Sequence, residues 1–191
     1  MTGLITESKR FLLDEEIHEI KQTILGDNFA WYYQPSSTST KFPFFSHVLI
    51  RRYDHIKGEP EFNSYITPYL LNIFKRFVDE HNIKVDKVTR ASLNLTPYQG
   101  KYENGDPHVD HDFPHKIFML YLNDTSGDTL IFDKVYNGKK SALDVTKKLN
   151  VLKRIKPEFG KAVCWDGKYY HAASFCKPMQ RRVVVVITFT Q

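Results

Sequence analysis

Apolar residues in the first half of the chain recur at helical spacing in two segments. The first segment predicts an amphipathic helix over residues 7–25, which ends where Gly26 offers a C-terminal stop. Its apolar positions are Phe11, Leu13, Ile17, Ile20, Ile24 and Leu25. The second segment predicts a helix from Thr67 to about His81, because Thr is a common N-cap and Pro68 suits the first helical position.

Aromatic and β-branched residues dominate the segments that lack helical spacing. Residues 29–34 predict a strand by their aromatic content, and we expect Trp31, Tyr32 and Tyr33 to lie mainly in the core rather than along a groove. After residue 87, turn signals separate short runs that predict strands over 88–95, 117–122, 129–132, 162–165 and 183–190. Two helices followed by many short strands predict an α+β fold in which a double-sheet barrel or jelly roll carries the site.

The length of the chain, 191 residues, predicts a single domain over residues 1–191, with a helical support at 1–86 and a barrel core at about 87–191. Glu7, Lys9 and Arg10 precede any apolar run, which argues against a signal peptide. No apolar stretch is long enough to cross a bilayer. We therefore expect a cytoplasmic protein with no membrane partner, in which Cys164 and Cys176 stay reduced.

The net charge of +5 permits an acidic partner. Much of the excess lies in residues 139–156, where Asp144 is the only acidic residue. Such a run is usually a solvated surface, so contact with nucleic acid ranks second to that interpretation. The surrounding segment, residues 134–152, can be a lid, a partner-binding element or a plain insertion.

Three residues of the second half carry the chemistry of a metal site. His108 and Asp110 are two positions apart, so on one extended strand both side chains project from the same side while Val109 turns away. His171 supplies a second imidazole from far along the chain. Two imidazoles and one carboxylate form the facial triad of non-haem Fe(II) sites, which leaves positions free for a co-substrate and oxygen.

The pair alone is a weak signal, because the chain contains eight histidines. His111 and Asp112 offer a competing set one register away, although the residue two positions after His111 is Phe113 rather than a carboxylate. The order of the surrounding motifs strengthens the assignment to His108, Asp110 and His171.

These motifs resemble the 2-oxoglutarate and Fe(II)-dependent dioxygenases, most closely the prolyl 4-hydroxylase-like branch, over about residues 89–190. The matches are Tyr98 ten residues before His108, Tyr-Leu-Asn at 121–123, Gly-x-Thr at 127–129, Pro-x-x-Gly at 157–160, and Arg181 and Arg182 ten and eleven residues after His171. The resemblance implies a double-stranded β-helix, which is a jelly-roll or cupin-like barrel, flanked by N-terminal helices.

The resemblance also implies that the triad binds Fe(II) and that 2-oxoglutarate chelates the ion as co-substrate. The distal carboxylate of this diacid is buried and needs a cation, and a guanidinium can satisfy it with two hydrogen bonds. Alternation along the last strand places only one of Arg181 and Arg182 inside the barrel. We prefer Arg182, because the polar Thr188 shares its face, but Arg181 stays an alternative.

Two tyrosines complete the implied pocket. Tyr121 would contribute a hydroxyl to the same carboxylate, and Tyr98 would line the pocket near the metal-bound end. The resemblance implies no catalytic residue beyond the metal ligands. It implies a reaction in which O2 and 2-oxoglutarate are consumed, succinate and CO2 are released, and an unactivated C–H is hydroxylated, with ascorbate as a reductant.

The expected substrate is first a prolyl residue of a peptide or protein, then a free amino acid or other small metabolite, and third nucleic acid. Two other classes stay open: a catalytically inactive barrel that serves as a binding module, and a zinc hydrolase. The arginine after the distal histidine argues against the hydrolase, which has no use for it.

Overall fold

The computed structural model describes residues 5–36, 42–52, 61–143 and 149–191. The described residues form two α-helices and ten β-strands. The helices are α1 (Asp14–Gln22) and α2 (Thr67–Glu80), and the strands are β1 (Ile5–Ser8), β2 (Tyr32–Gln34), β3 (Phe44–Ile50), β4 (Val88–Pro97), β5 (Lys116–Tyr121), β6 (Thr129–Val135), β7 (Val151–Ile155), β8 (Ala162–Asp166), β9 (Tyr169–Ala173) and β10 (Arg181–Phe189). No helix among the described residues is long and apolar enough to span a membrane.

The strands form two sheets that face each other. The larger sheet has seven strands in the order β1-β8-β5-β10-β4-β3-β2, and the smaller sheet has three in the order β7-β6-β9. Every pairing between these strands is antiparallel. This is the two-sheet, jelly-roll arrangement of a double-stranded β-helix, as the sequence predicts, and it encloses a cavity between the inner faces.

Helix α2 covers the outer face of the larger sheet. Its apolar side chains at helical spacing are buried, and Phe74 and Phe77 meet Phe118 of β5 at ring-centroid distances of 5.2 and 5.0 Å. Phe74 also lies 5.2 Å from Phe189 of β10. Because these contacts hold the two central strands against one helix, they make the sheet a rigid wall for the residues on its inner face.

The first predicted helix is shorter than the apolar spacing indicates. Ile5–Ser8 is a strand that pairs with β8. Arg10 has a positive φ of 52°, which is incompatible with a right-handed helix at this position, and the helix begins only at Asp14. The backbone amide of Leu13 donates to Glu16 Oε2 at 2.9 Å, and acidic residues occupy the first turn. These are signals for the start of a helix, and the spacing of apolar residues does not include them. The prediction of a helix over residues 7–13 is therefore wrong. At the other end the helix stops at Gln22, so the predicted extension to residue 25 is wrong as well.

The first 86 residues are also more than a helical support. They contribute β1, β2 and β3 to the larger sheet, one at its first edge and two at its other edge. The expectation that Tyr32 and Tyr33 lie in the core is wrong as well: their side chains are 60% and 61% exposed on the edge strand β2. An edge strand buries little, because it has a neighbour on one side only.

The outer face of the smaller sheet is covered by part of the segment 134–152. Leu143 is buried against Phe132 and Tyr170, and the hydroxyl of Tyr170 donates to the carbonyl of Lys140. The lysine side chains of this segment that the structure describes point to solvent, as expected for a solvated surface. Residues 144–148, which carry two of the predicted basic positions and Asp144, lie outside the described residues.

Candidate metal centre and co-substrate pocket

The two histidines of the predicted triad are direct neighbours across the smaller sheet. The amide of His108 donates to the carbonyl of His171, and the amide of His171 donates to the carbonyl of His108, both at 2.9 Å. His108 pairs with His171 and with Ala142 through isolated β-bridges, and it is not part of a continuous strand. The expectation of one extended strand through His108 and Asp110 therefore needs correction: pairing stops close to the histidine.

Asp110 completes the cluster from a segment beyond this pairing. Asp110 is 8% exposed, and its Oδ2 lies 3.6 Å from His171 Nε2. The possible ligand atoms of His108, Asp110 and His171 all lie within 4.8 Å of one another. Val109 faces the other way and is buried on the outer side of the smaller sheet. The three donors thus converge on one point at the inner face.

Hydrogen bonds and burial prepare these groups to bind a cation. His108 Nδ1 lies 2.9 Å from the carbonyl of Asp106, which can only accept, so Nδ1 carries the proton and Nε2 keeps its lone pair. Burial, assisted by the nearby His108, lowers the pKa of His171 to about 3, so this imidazole is neutral at pH 7. Burial alone would raise the pKa of Asp110, but His171, Arg90 and His108 together hold it below its usual range.

The competing set of His111 and Asp112 is not part of this cluster. His111 Nε2 lies 2.8 Å from the hydroxyl of Thr188 on β10, and its ring stacks on Phe113 at a centroid distance of 4.6 Å. Asp112 is exposed. His111 therefore anchors the chain after Asp110 to the larger sheet instead of facing the metal centre.

Arg182 lies in the same cavity as the three donors. It is 5% exposed, and its Nη2 donates to Thr129 Oγ1 at 2.7 Å and to Met119 Sδ at 3.1 Å. The hydroxyl of Tyr121 donates to the same Thr129 Oγ1 at 2.7 Å. Arg182 Nε is buried without a hydrogen-bond partner in the described part of the chain. Burial lowers the pKa of Arg182, because removal of the guanidinium from water disfavours its charged form. A guanidinium in such a place suits an anionic ligand that would restore its pairing.

The other two predicted co-substrate residues lie elsewhere. Arg181 is exposed, because alternation along β10 turns it away from the cavity when Arg182 points in. Tyr98 follows the last residue of β4, is 44% exposed, and is not among the described residues that line the cavity. The structure brings Arg182 and Tyr121 together and leaves Arg181 and Tyr98 outside.

The cavity has a volume of about 360 Å³ and is lined both by the three candidate metal ligands and by Arg182. Its floor includes Met119, Val184 and Val186, and Phe42, Phe44 and Phe175 form an aromatic side. Several lining residues were missed from the sequence: Arg52, Arg90, Asn94, Thr96 and Thr129. The sequence contains a signal for Arg90, Asn94 and Thr96. Along β4 the polar residues Arg90, Ser92, Asn94 and Thr96 alternate with the apolar residues Ala91, Leu93 and Leu95, which indicates that the polar ones share one face of the strand.

Several solved structures share this fold. An oxidoreductase of the 2OG-Fe(II) oxygenase family from Burkholderia pseudomallei matches with a TM-score of 0.67 at 11% identity, over 98% of this chain and 85% of that chain. A prolyl hydroxylase in complex with a hypoxia-inducible factor peptide, from Trichoplax adhaerens, matches with a TM-score of 0.64 at 13% identity, over 98% and 84% of the two chains. A non-haem α-ketoglutarate-dependent carbocyclase of nogalamycin biosynthesis matches with a TM-score of 0.66 at 8% identity, over 97% and 79%.

The chain has the fold of the 2-oxoglutarate/Fe(II) oxygenases. At these identities the likeness concerns the fold, and the three relatives differ in what their names say they do. A family model described as Poxvirus serine/threonine protein kinase matches residues 18–94, less than half of the chain, and ends before His108. No curated protein matches the chain.

The donor set fits Fe(II), the metal named in the description of the Burkholderia pseudomallei relative. Two neutral imidazoles and one carboxylate on one face suit Fe(II) and leave part of the coordination sphere open. The buried, incompletely paired guanidinium of Arg182 fits the distal carboxylate of a diacid such as 2-oxoglutarate. Both groups can therefore be accommodated by residues that already face one cavity.

Proposed function

We propose that the protein is a 2-oxoglutarate- and Fe(II)-dependent dioxygenase that hydroxylates an unactivated C–H and releases succinate and CO2. The observation that carries the proposal is the shared cavity: the cluster of His108, Asp110 and His171 and the buried Arg182 line the same space. A metal site alone would suit several chemistries. A metal site next to a buried guanidinium calls for an anionic co-substrate.

Each residue has a defined task in this proposal. His108 and His171 would hold Fe(II) through Nε2, and Asp110 through one carboxylate oxygen. Arg182 would bind the distal carboxylate of 2-oxoglutarate, with the hydroxyls of Thr129 and Tyr121 beside it. The bound metal and co-substrate together supply the oxidising power for O2 activation and C–H hydroxylation.

Apolar side chains in the floor of the cavity would exclude water from the reacting groups. Val184 and Val186 of β10 are buried, and both line the cavity. In a dry, preformed site, the charged groups of the metal centre and of Arg182 interact more strongly than in water. The requirement for ascorbate as a reductant stays a prediction from the resemblance.

We propose a prolyl residue of a peptide or protein as the substrate. The likeness in fold to a peptide-bound prolyl hydroxylase supports this choice, as does the aromatic side formed by Phe42, Phe44 and Phe175. Phe42 and Phe175 pack at a ring-centroid distance of 4.8 Å, so their edges form a firm surface on which a pyrrolidine ring can lie.

A small metabolite or free amino acid is the second candidate. The cavity volume of about 360 Å³ suits a compact molecule, and the carbocyclase that shares the fold is named for small-molecule biosynthesis. We further propose that residues 1–191 form a single catalytic domain. A cytoplasmic location stays a prediction from the sequence.

The test is 2-oxoglutarate turnover, measured as succinate formation, with Fe(II) and a panel of proline peptides, amino acids and oligonucleotides. We expect succinate to require Fe(II), and a proline peptide to gain the mass of one oxygen atom. Zinc-supported hydrolysis without an oxygen requirement would instead favour a hydrolase. Absence of both Fe(II) binding and 2-oxoglutarate turnover would favour the binding module.

Variants define the metal ligands in the same assay. His108→Ala, Asp110→Ala and His171→Ala should each abolish succinate formation. Asp112→Ala is the matched control, because Asp112 is an exposed carboxylate two positions beyond Asp110. Full activity of any triad variant would refute the ligand assignment.

A further inference from the structure

The three candidate metal ligands are held in place by different means. The backbones of His108 and His171 are locked together by two hydrogen bonds of the sheet. Asp110 lies in a bend after the last bridge, so no strand ladder positions it. Its position must therefore come from contacts outside the regular pairing.

Two arginines and one histidine provide these contacts. Arg52 Nη1 donates to the main-chain carbonyl of Asp110. His111, the next residue, is tied to Thr188 of β10. The carboxylate itself is contacted by Arg90, whose Nη1 lies 3.1 Å from Asp110 Oδ1.

The strand and a neighbouring serine hold Arg90 in a position from which it can orient the carboxylate of Asp110. Arg90 lies on β4, with the backbone of Thr188 on β10 as its cross-strand partner, so it projects from a central strand of the larger sheet. A second nitrogen, Nη2, donates to Ser92 Oγ at 3.3 Å, which helps to orient the guanidinium plane. A guanidinium held by neighbours gives a carboxylate a fixed direction, because its donors are arranged in a rigid fork.

The two oxygens of Asp110 thus have separate partners. Oδ1 faces Arg90 at 3.1 Å, and Oδ2 faces His171 Nε2 at 3.6 Å on the side of the metal centre. We propose that Arg90 is a positioning residue for the metal site: it occupies Asp110 Oδ1, so that Oδ2 alone is presented to the metal. One-oxygen ligation keeps a coordination position open that a two-oxygen carboxylate would fill.

This inference rests on the metal site of the proposed function, but not on 2-oxoglutarate turnover. It is therefore tested by metal binding. Co(II) is a suitable probe, because its visible absorption reports the number and arrangement of its ligands. The wild-type protein, Arg90→Met and Arg90→Lys are titrated with Co(II), and affinity and spectrum are recorded together with the thermal unfolding of each metal-free protein.

We expect Arg90→Met to bind Co(II) about 10- to 100-fold more weakly than wild type, the range typical for removing a group that orients a metal ligand. Its Co(II) spectrum should also change, because Asp110 is free to rotate or to bind with both oxygens. Arg90→Lys keeps a cation and one donor, so it should recover part of the affinity. Arg181→Met is the matched control, because Arg181 is exposed, and it should bind Co(II) like wild type.

Wild-type affinity together with a wild-type spectrum in folded Arg90→Met would overturn the inference. A lower melting temperature with an unchanged spectrum of the folded protein would also overturn it, since that is the result of a merely structural role. If Arg90→Met does not fold, Arg90→Gln is judged by the same two readouts. Wild-type protein that binds no Co(II) would remove the metal site itself, whereas binding without turnover would contradict only the proposed function.

Discussion

Replacing Arg182 by Met should affect the unliganded protein and the co-substrate complex in opposite ways. Arg182 is 5% exposed, and its Nη2 donates to Thr129 Oγ1 at 2.7 Å. Losing this hydrogen bond from a charged donor costs about 1.5–3 kcal/mol, and the contact of Nη2 with Met119 Sδ, a weak acceptor, is lost as well. Removing a buried cation relieves a desolvation penalty of several kcal/mol, because Nε has no partner in the described residues. We therefore expect the free energy of unfolding to stay within about 1 kcal/mol of wild type or to rise.

Co-substrate binding should weaken strongly in the same variant. Truncating one partner of a buried, hydrogen-bonded charge pair costs about 2–5 kcal/mol. A free-energy change of about 1.4 kcal/mol corresponds to a factor of ten in affinity. The dissociation constant for 2-oxoglutarate should therefore increase by a factor between roughly 30 and several thousand. A merely structural arginine would give the reverse result, with a loss of stability and little change in affinity.

Unfolding with and without ligand measures both quantities. Urea unfolding is recorded for the apo protein, with Mn(II) alone, and with Mn(II) and 2-oxoglutarate at about 100 times the wild-type dissociation constant. Relative to Mn(II) alone, wild type should gain about 2.7 kcal/mol. Arg182→Met should gain less than about 1 kcal/mol at that concentration. Arg181→Met, the same change at the exposed neighbour, should behave like wild type. Equal ligand-induced stabilisation of Arg182→Met and wild type would refute the assignment of Arg182.

Two further predictions concern stability. Burial is the main reason why the pKa of His171 falls to about 3 and that of His111 to about 4. Below pH 6.5 these histidines therefore take up protons in the unfolded chain but stay neutral in the folded, metal-free protein. The free energy of unfolding should therefore decrease as the pH falls from 6.5 towards 4, by up to about 1.4 kcal/mol per pH unit for each histidine, and urea unfolding that is flat with pH would contradict this. Gly167→Ala should destabilise the protein by about 1–3 kcal/mol in the same assay, because its new Cβ would lie 2.2 Å from His115 Nε2; an unchanged midpoint would mean that the His115 ring can move aside.

The candidate metal centre could be predicted from the sequence, because its donors follow strand periodicity and motif order. Two-residue spacing predicts that His108 and Asp110 share a side, and the structure brings both to His171. Arg181 and Arg182 could not be separated from spacing alone. The register of β10 with its neighbours turns Arg182 inward, and this register is a property of the assembled sheet rather than of the last strand.

Other features depend on contacts that the local pattern does not contain. Tyr98 lies at the family spacing before His108, but β4 ends at Pro97 and Gly100 has a positive φ of 67°, so strand alternation no longer applies there. Four strands, β1, β3, β7 and β9, were not predicted. β1 is short and half-buried and β7 is largely exposed, so neither shows a clear apolar alternation. The role inferred for Arg90 comes from a contact between residues 20 positions apart, which no spacing rule describes.

The mutual backbone pairing of His108 and His171 has a consequence for hydrogen–deuterium exchange. Each residue's amide is protected by the other's carbonyl, and an ion bound by both imidazoles would tie the same two residues together a second time. Exchange at these amides would then require release of the ion as well as separation of the strands. Deuterium uptake at just these two positions can therefore serve as a gauge of metal occupancy that needs no knowledge of the substrate.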